Sequence, residues 1–443
     1  MSQRVEKIVV ARSHENYKAC HRLCSLSRRL GNCASYHLRH LVFDKKQTPT
    51  RKELDNELKS RYAKDYRAMP SAASAQRIIQ VVAEQFRSFR KASKEYRAHP
   101  EKFTGKPKLP GYQDKYRTFY VNRNGYCIKD GKLILTGGEK VGFKPLTVRS
   151  CQNQSLNAPV AETVVGDVRI VAKGMSFVIE LTYEKEDVKK KDLDPEAACV
   201  IDPGVENFAT VISTRPGLTP ILVKGTVLKS INQRYNANVS SLREHNKHKK
   251  HIAIRSAHRN RQVDDMLHKM SRFVIEYCLA NRLGRIIIGR NPFWKQGVNL
   301  GKVNNQNFVC LPHARFFEMV SYKAEEQGIE VEFTDEAYTS KASALDFDMI
   351  PSYEKAKTCK FSGKRIHRGL YRSKSGKLIN ADVNGALNIA RKVLGDDWLR
   401  SQSEPIGAYL DTPIAIRSLN NQSCASLLEA GLRSCESSHV SAR

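Results

Sequence analysis

The chain has 443 residues, which is long enough for two or three domains with hydrophobic cores of their own. Lysine and arginine total 75 against 45 aspartate and glutamate residues, and the formal charge of +30 indicates a polyanionic partner, most simply nucleic acid. No apolar run approaches the ~20 residues that cross a bilayer, and we expect neither a membrane span nor a secretory signal.

The first half of the sequence predicts a strand, a helical stretch and then short strands. Residues 1–12 have the pattern of a strand, and residues 13–99 turn helical, with an apolar stripe from Ile78 to Phe89 that is typical of core packing. From residue 118 to residue 183, short strands separated by glycine turns indicate an antiparallel barrel or sandwich. A linker rich in charged residues leads into the second half.

The centre of the chain predicts a β-hairpin with one carboxylate at the end of its first strand. The apolar runs Ala198–Ile201 and Phe208–Ile212 flank a Pro-Gly turn, and Asp202 directly follows the first run. An aspartate beside such a turn ordinarily hydrogen-bonds its own backbone, so the local pattern leaves a structural and a catalytic role open.

Further carboxylates follow predicted elements of the second half. Residues 285–288 are typical of a buried strand, residues 315–327 of a helix, and the next strand ends at Asp335 and Glu336. A strand–helix–strand crossover makes the two strands parallel neighbours, and sites in open α/β sheets collect at the carboxyl ends of such strands. Asp382 directly precedes another predicted helix, where a carboxylate serves as a metal ligand or as a helix cap.

Two motifs of the second half resemble those of a known nuclease family. Asp202-Pro-Gly-Val-Glu-Asn-Phe-Ala-Thr and Asp382-Val-Asn-Gly-Ala-Leu-Asn resemble the first and third RuvC motifs of TnpB, the RNA-guided nucleases that insertion sequences encode. The type V CRISPR effectors are related to this family. The segment Tyr338-Thr-Ser-Lys is similar to a further family signature. The resemblance is specific for the second half of the chain and looser for the first.

The resemblance implies a multidomain α+β fold. An antiparallel β-barrel wedge domain would be split by a helical recognition lobe and followed by a RuvC-type (RNase H-like α/β) nuclease domain. The expected boundaries are 1–12 and 100–190 for the wedge, 13–99 for the lobe, 195–399 for the nuclease domain with a basic insertion at 342–378, and 400–443 for a tail. We expect this tail to be disordered, because it is rich in Ser, Asn and Arg and has weak periodicity.

The resemblance also implies a two-metal site, but one of the family's ligands is missing from its usual place. TnpB-like nucleases generally end the buried strand in a glutamate, and this chain has Gly289 there. Because two divalent ions need several hard oxygen ligands, we predict that Glu336 replaces it, with Asp335 as the competitor and an exposed acidic pair as the structural alternative. Asp202, Glu336 and Asp382 are then the catalytic residues and the ligands of two Mg²⁺ ions, for which Mn²⁺ could substitute.

A second departure from the family concerns zinc. Many members carry two Cys-x-x-Cys pairs after the Tyr-Thr-Ser-Lys signature, but residues 341–346 contain no cysteine, and only Cys359 and His367 lie in the window. Two potential ligands do not close a tetrahedral site, so we predict no structural zinc. The segment 364–377 is instead basic and is predicted to contact nucleic acid.

The predicted function is RNA-guided cleavage of double-stranded DNA beside a short flanking motif. The partners are a guide RNA, transposon-end-derived or crRNA-like, and the target DNA; a homodimer is left open. The family implies a cytoplasmic, nucleoid-associated prokaryotic protein. Gln and Arg can read base edges, and basic and aromatic side chains suit phosphates and bases. The candidate nucleic-acid contacts are Gln76, Arg77, Gln80, Lys106, Lys108, Tyr338, Lys341, Lys364 and Arg365.

Other functions stay open at this point. A guide-directed DNA-binding repressor without nuclease activity would explain the missing glutamate, although it has little need for Asp202 and Asp382. A CRISPR-array-guided type V effector would have the same chemistry as the predicted nuclease. A transposase that joins DNA by itself would need a strand-transfer feature, and the sequence shows no distinct one.

Overall fold

A computed structural model describes residues 2–44, 46–47, 49–148, 164–185, 192–244, 249–290, 311–351, 360–367, 369–400 and 410–417. The chain divides into two compact units, Met1–Glu186 and Asp187–Arg443. None of the helices in these described ranges is long and apolar enough to cross a membrane.

The first unit contains two antiparallel sheets. Its strands are β1 (Ser2–Val10), β2 (Phe119–Val121), β3 (Tyr126–Lys129), β4 (Lys132–Leu135), β5 (Leu146–Thr147), β6 (Val164–Lys173) and β7 (Ser176–Lys185). The larger sheet has the order β1-β7-β6-β2, and the smaller has the order β3-β4-β5. The predicted antiparallel strands are therefore confirmed, with ends shifted by a few residues. Within the described ranges the larger sheet has an open strand order, and the closed barrel stays a prediction.

The helices of the first unit share one hydrophobic core with the larger sheet. They are α1 (Tyr17–Phe43), α2 (Arg51–Arg61), α3 (Ala63–Arg67) and α4 (Ala72–Ala98), with 3₁₀ turns at Pro100–Lys102, Arg123–Gly125 and Gly138–Val141. The predicted core stripe of α4 is confirmed, because Ile78, Val82 and Phe86 are buried in the same cluster as Phe119 of β2. The division of this unit into a wedge domain and a recognition lobe stays a prediction.

The second unit is organised around a mixed six-stranded sheet. Its strands are β8 (Asp194–Pro203), β9 (Asn207–Ser213), β10 (Ile221–Lys224), β11 (Leu283–Gly289), β12 (Glu330–Thr334), β13 (Lys364–His367), β14 (Leu370–Arg372), β15 (Leu378–Asn380) and β16 (Ile414–Ile416). The large sheet has the order β12-β11-β8-β9-β10-β16, and β13-β14-β15 form a small separate sheet. β8 and β9 form the predicted hairpin, and β11 runs parallel to both β8 and β12, as the predicted crossover requires.

Helices cover both faces of the large sheet. They are α5 (Thr226–Glu244), α6 (Lys249–Ala280), α7 (His313–Glu326), α8 (Ala381–Leu394) and α9 (Asp396–Arg400). Cys199 and Ile201 of β8 belong to the core with α6 and α7, whereas Ala198 and Val200 belong to the core with α8. Because successive side chains of a strand point to opposite faces, the continuous apolar run of β8 is buried on both sides. A mixed α/β architecture was expected for this region, and the layering agrees with it.

One strand corrects the expectation of a disordered tail after residue 400. β16 lies in that region and pairs in parallel with β10, with Ile414 opposite Ile221 and Ile416 opposite Val223. The sequence analysis missed it because a three-residue strand has too short a pattern to be recognised, and its pairing partner is distant in the chain. Residues 401–409 and 418–443 lie outside the described residues.

Candidate functional site

Asp202 lies at the carboxyl end of the parallel strands. Ile201 of β8 pairs with Ile288 of β11, so Asp202 and Gly289 are the next residues of these two neighbouring strands. On its other side Asp202 pairs with Thr210 of β9. The buried apolar run before it fixes the backbone, so its carboxylate is held by a rigid part of the sheet.

Glu336 follows the end of β12, the next parallel strand. Gly289 of β11 pairs with Thr334 of β12, and Glu336 lies just beyond that pair. A Cβ atom added to Gly289 would lie 3.4 Å from Glu336 Oε2 and 2.5 Å from Ile389 Cδ1. The carboxylate of Glu336 therefore lies beside the space into which a side chain at position 289 would extend. Ile389 leaves little room for such a side chain.

Asp382 lies in the first turn of α8, whereas the sequence analysis placed it directly before the helix. The side chain of Asn380 caps this helix, because its Oδ1 accepts from the backbone N–H groups of Asp382 at 3.0 Å and Val383 at 3.3 Å. The helix-cap alternative for Asp382 is therefore wrong. Its carboxylate instead accepts a hydrogen bond of 2.5 Å from Asn207 Nδ2.

Arg365 of β13 reaches the same carboxylate. Its guanidinium lies 3.4 Å from Asp382 Oδ1. Arg365 pairs across the β13–β14 hairpin with Tyr371, whose ring is buried. Its positive charge also opposes the rise in the pKa of Asp202. Sequence analysis expected a nucleic-acid contact at Arg365, and the structure adds its closeness to the carboxylates.

Burial and mutual repulsion govern the protonation of these carboxylates. The pKa of Asp202 is raised well above its usual value, first by desolvation and then by the negative charges of Glu336 and Asp382. Asp202 keeps some exposed surface, but the protein atoms around it displace much of the water that a carboxylate needs. Burial, together with Asp335, raises the pKa of Glu336 to about 7 against the opposing charge of Lys392. Such a concentration of negative charge calls for a cation.

The competing candidate, Asp335, has a different environment. It is exposed, whereas Glu336 is half-buried. Lys392 Nζ donates a hydrogen bond of 2.9 Å to the backbone oxygen of Asp335 and lies 3.4 Å from its Oδ2. The side chain of Asp335 is thus next to a lysine, while that of Glu336 lies beside Gly289.

The donor set fits a divalent metal ion of the Mg²⁺ type. Such ions prefer carboxylate and amide oxygens, and Asp202, Glu336 and Asp382 supply carboxylates. Asn207 is buried, and its Oδ1 has no hydrogen-bond partner among the residues that the structure describes. Gly385 of α8 permits a close approach, since a Cβ atom there would lie 2.6 Å from Asp202 Oδ2. Within the same described ranges, no three Asp, Glu, His or Cys side chains already surround one point, so ligation requires side-chain adjustment.

The predicted base-reading residues differ in their partners. Arg77 Nε donates to Asp167 Oδ2 at 2.5 Å, and Gln76 Nε2 donates to Asp55 Oδ2 at 3.1 Å. Gln76 and Gln80 both line a cavity of 280 Å³, together with arginine and lysine side chains of α2 and α4. Both glutamines therefore lie at this recess, but Gln76 already donates to Asp55, which also lines it.

The remaining predicted nucleic-acid contacts lie at the surface or near Glu336. The exposed basic residues are Lys106, Lys108, Lys341, Lys364 and Arg365. Tyr338 is half-buried and has a φ of 64°, a strained backbone conformation for a bulky residue. Lys341 Nζ lies 5.5 Å from the centre of the Tyr338 ring. Strain of this kind so close to Glu336 is typical of a functional site.

Sequence analysis missed two residues that support the site. Asn207 belongs to the first motif, but no role was assigned to it. His313, the first residue of α7, is buried, and its Nε2 lies 3.0 Å from the backbone oxygen of Gly204. Its ring stacks on Phe208 with the ring centres 4.6 Å apart. No local pattern signals this role, because Gly204 and His313 are 109 residues apart.

Two segments of the chain match known protein families. Residues 180–293 match the family model OrfB_IS605, described as a probable transposase, and residues 313–389 match the model described as Cas12f1-like, TNB domain. The predicted resemblance to TnpB and to type V effectors is thus confirmed over these residues. The two matched regions contain Asp202, Glu336 and Asp382. Among curated proteins, none matches the chain significantly.

Several solved structures are similar to this chain at low sequence identity. One is a Cas12f1–sgRNA–target DNA complex (15% identity, 85% of this chain and 82% of that chain covered, TM-score 0.49). Another is a CRISPR–Cas12f ternary complex (14% identity, 84% and 80% covered, TM-score 0.34). A third is the mini RNA-guided endonuclease CRISPR-Cas_phi3 (10% identity, 88% and 92% covered, TM-score 0.42). These likenesses are too distant to bear on individual residues.

Proposed function

We propose that this protein is an RNA-guided endonuclease that hydrolyses target DNA beside a short flanking motif. One observation carries the proposal: carboxylates from three separate parts of the chain, Asp202, Glu336 and Asp382, converge at the carboxyl end of the parallel strands. The three groups are close enough that the negative charges of Glu336 and Asp382 raise the pKa of Asp202. The TnpB-like motifs and the two family-model matches support the same assignment.

Glu336 is the proposed third carboxylate rather than Asp335. Its Oε2 lies 3.4 Å from the position of a Cβ atom at residue 289, where related nucleases generally have their glutamate. Asp335 is exposed and lies beside Lys392. A glutamate that reaches the site from the end of β12 can therefore serve in place of one from the end of β11.

Asp202, Glu336 and Asp382 would hold the divalent ions, Mg²⁺ or Mn²⁺. Such ions, when bound, neutralise charge on the phosphodiester and lower the pKa of water that attacks it. The chain contributes oxygen ligands from rigid elements. Asn207 orients the Asp382 carboxylate through its Nδ2 hydrogen bond, and its buried Oδ1 remains available as an acceptor.

Arg365 is the proposed phosphate contact at the site. Its planar guanidinium lies 3.4 Å from Asp382 Oδ1 and matches the geometry of phosphate oxygens. When DNA enters, the guanidinium can exchange this carboxylate for a phosphate, which positions the strand over the carboxylates. The exposed Lys341 and Lys364, which both precede Arg365 in sequence, add positive charge for the phosphate backbone.

A guide RNA and double-stranded target DNA are the proposed partners. The formal charge of +30 suits two bound polyanions. The guide would read the target by base pairing, and protein side chains would read the flanking motif. Gln80 is the proposed reader, because Gln76, which lines the same recess, would first have to leave Asp55, and Arg77 would have to leave Asp167.

The test is cleavage of a matched plasmid by the purified guide complex in Mg²⁺. Asp202→Asn and Asp382→Asn should abolish cutting and retain guide-dependent target binding. Asp397→Asn, at an exposed aspartate of α9, is the matched control and should cut normally. Tight guide-dependent binding without any cutting by the wild-type protein would instead identify the repressor. Cutting that survives Asp202→Asn would refute the proposed site.

A further inference from the structure

A second cluster of carboxylates lies outside the three-carboxylate site. Asp346 Oδ2 accepts hydrogen bonds from Ser343 Oγ at 2.6 Å, from Ser362 Oγ at 3.2 Å and from the backbone N–H of Lys374 at 2.6 Å. Asp348 Oδ2 accepts from the backbone N–H groups of Ser343 at 2.8 Å and Ser362 at 3.0 Å. We name these five residues, Ser343, Asp346, Asp348, Ser362 and Lys374, the carboxylate knot. It joins three segments that are separated in the chain.

The carboxylate knot holds both ends of the β13–β14 hairpin. Ser362 lies two residues before β13, and Lys374 lies two residues after β14. Both are bound by Asp346, so one side chain fixes the point where the hairpin opens. Hydrogen bonds to an ionised carboxylate are about twice as strong as neutral ones, which makes this an effective clamp.

Tyr371 fixes the middle of the same hairpin. Its hydroxyl donates a hydrogen bond of 2.8 Å to the backbone oxygen of Lys341. A Cβ atom on Gly363 would lie 2.5 Å from its ring, so the chain entering β13 packs directly on this tyrosine. Tyr371 pairs with Arg365 across the hairpin. The backbone of Arg365 is therefore held from its own strand and from the neighbouring one.

The other side of the carboxylate knot is fixed to α8. Asn384 Oδ1 accepts from the backbone N–H of Ala344 at 2.9 Å, and Asn384 Nδ2 donates to the backbone oxygen of Ala342 at 2.8 Å. The helix that fixes the turn around Ser343 also carries Asp382. A closed path thus runs from Asp382 through α8, the turn, Asp346 and the hairpin to Arg365, which lies 3.4 Å from Asp382.

We propose that Asp346 is a positioning residue that ties the β13–β14 hairpin to the turn around Ser343 and so holds Arg365 opposite Asp382. This inference rests on the proposed nuclease function, in which Arg365 receives the phosphate. Asp346 itself does not touch the substrate. It acts through the placement of Arg365.

A double-mutant cycle tests this role in the guide complex under single-turnover conditions. Asp346→Asn keeps the size of the side chain but removes the charge that holds the donors. In the wild-type background it should slow cleavage about tenfold, with target binding unchanged. In the Arg365→Gln background the same substitution should cause no further slowing. Asp397→Asn serves as the matched control in both backgrounds.

Equal slowing by Asp346→Asn in both backgrounds would overturn the proposal, since the residue would then support the fold alone.

A second readout does not depend on cleavage: amide hydrogen exchange of the chain without nucleic acid. Asp346→Asn should speed exchange at Lys374 and at Arg365, and Asp397→Asn should not. If the wild-type protein does not cut, the proposed function fails by itself. Unchanged exchange at both amides would then overturn the role of Asp346 separately.

Discussion

The three-carboxylate site and the carboxylate knot use the same chemical group in opposite ways. In the site, burial and neighbouring negative charges raise the pKa of both Asp202 and Glu336. In the knot, burial also opposes ionisation of Asp346, but hydrogen bonds from Ser343, Lys374 and other donors outweigh it and lower the pKa. A carboxylate whose charge is satisfied within the chain stabilises the fold, whereas a group of carboxylates left with excess charge is poised to bind a ligand.

The largest expected effect separates Glu336 from its neighbour in sequence. Glu336→Gln should reduce cleavage by about a thousandfold or more, because it removes the proposed metal ligand at nearly constant volume. Asp335→Asn should change cleavage less than about threefold, because Asp335 is exposed beside Lys392. Single-turnover cleavage with matched target DNA measures both. A reversed order of the two effects would move the assignment to Asp335.

In the metal-free protein, the raised pKa of Glu336 should make the stability of the fold depend on pH. The folded chain binds a proton at Glu336 more tightly than the unfolded chain, since the pKa rises from 4.5 to about 7. Stability should therefore fall as the pH rises through this window, by about 3 °C in melting temperature. Asp202 acts in the same direction, and Lys392 opposes it. Glu336→Gln should flatten the fall, and Mg²⁺ should offset it in the wild-type protein. A melting temperature that rises across the window would contradict this electrostatic description.

Asp346 should have the opposite effect on the pH dependence of stability. Its pKa lies below the usual 3.8, so its contribution to stability is present above that pH and is lost as the pH falls through the lowered pKa. Asp346→Asn should lower the melting temperature near neutral pH by about 2 °C and reduce the loss on acidification. Asp348 and Tyr371 face the same cluster, and the pKa of Tyr371 is raised to about 12, so its hydroxyl stays neutral. Thermal melts of Asp346→Asn and of the control Asp397→Asn over a range of acidic pH test this prediction. Identical melting temperatures of the two variants at every pH would refute it.

The smallest effect is expected at His313, which contacts the hairpin turn after Asp202. His313→Phe keeps a ring against Phe208 but removes the polar contact with Gly204, so the turn after Asp202 should loosen. We expect the Mg²⁺ concentration for half-maximal cleavage to rise about threefold with little change in the maximal rate. A lowered maximal rate at saturating Mg²⁺ would indicate a different role. His313→Gln, which keeps a polar group, should show partial recovery.

The sequence was most informative where one element carries its own pattern. The apolar runs around Asp202 predict the β8–β9 hairpin, and the strand–helix–strand pattern predicts the parallel neighbours β11 and β12, which the structure confirms. Motif residues were harder to assign by role. Asn384 belongs to the third motif, yet it binds the backbone of Ala342 and Ala344 rather than a ligand. A motif conveys which residues occur together and not which contacts they make.

The sequence by itself determined the β8–β9 hairpin, the parallel strands β11 and β12, and which carboxylates follow a strand or stand near the start of a helix. Local apolar periodicity encodes such features, because each side chain's face follows from its position in the element. Only the tertiary structure placed Glu336 beside Gly289 and Arg365 at Asp382, and brought Asn207 to a partner 175 residues away. Those contacts depend on side-chain direction and on packing between distant segments, for which no local pattern exists.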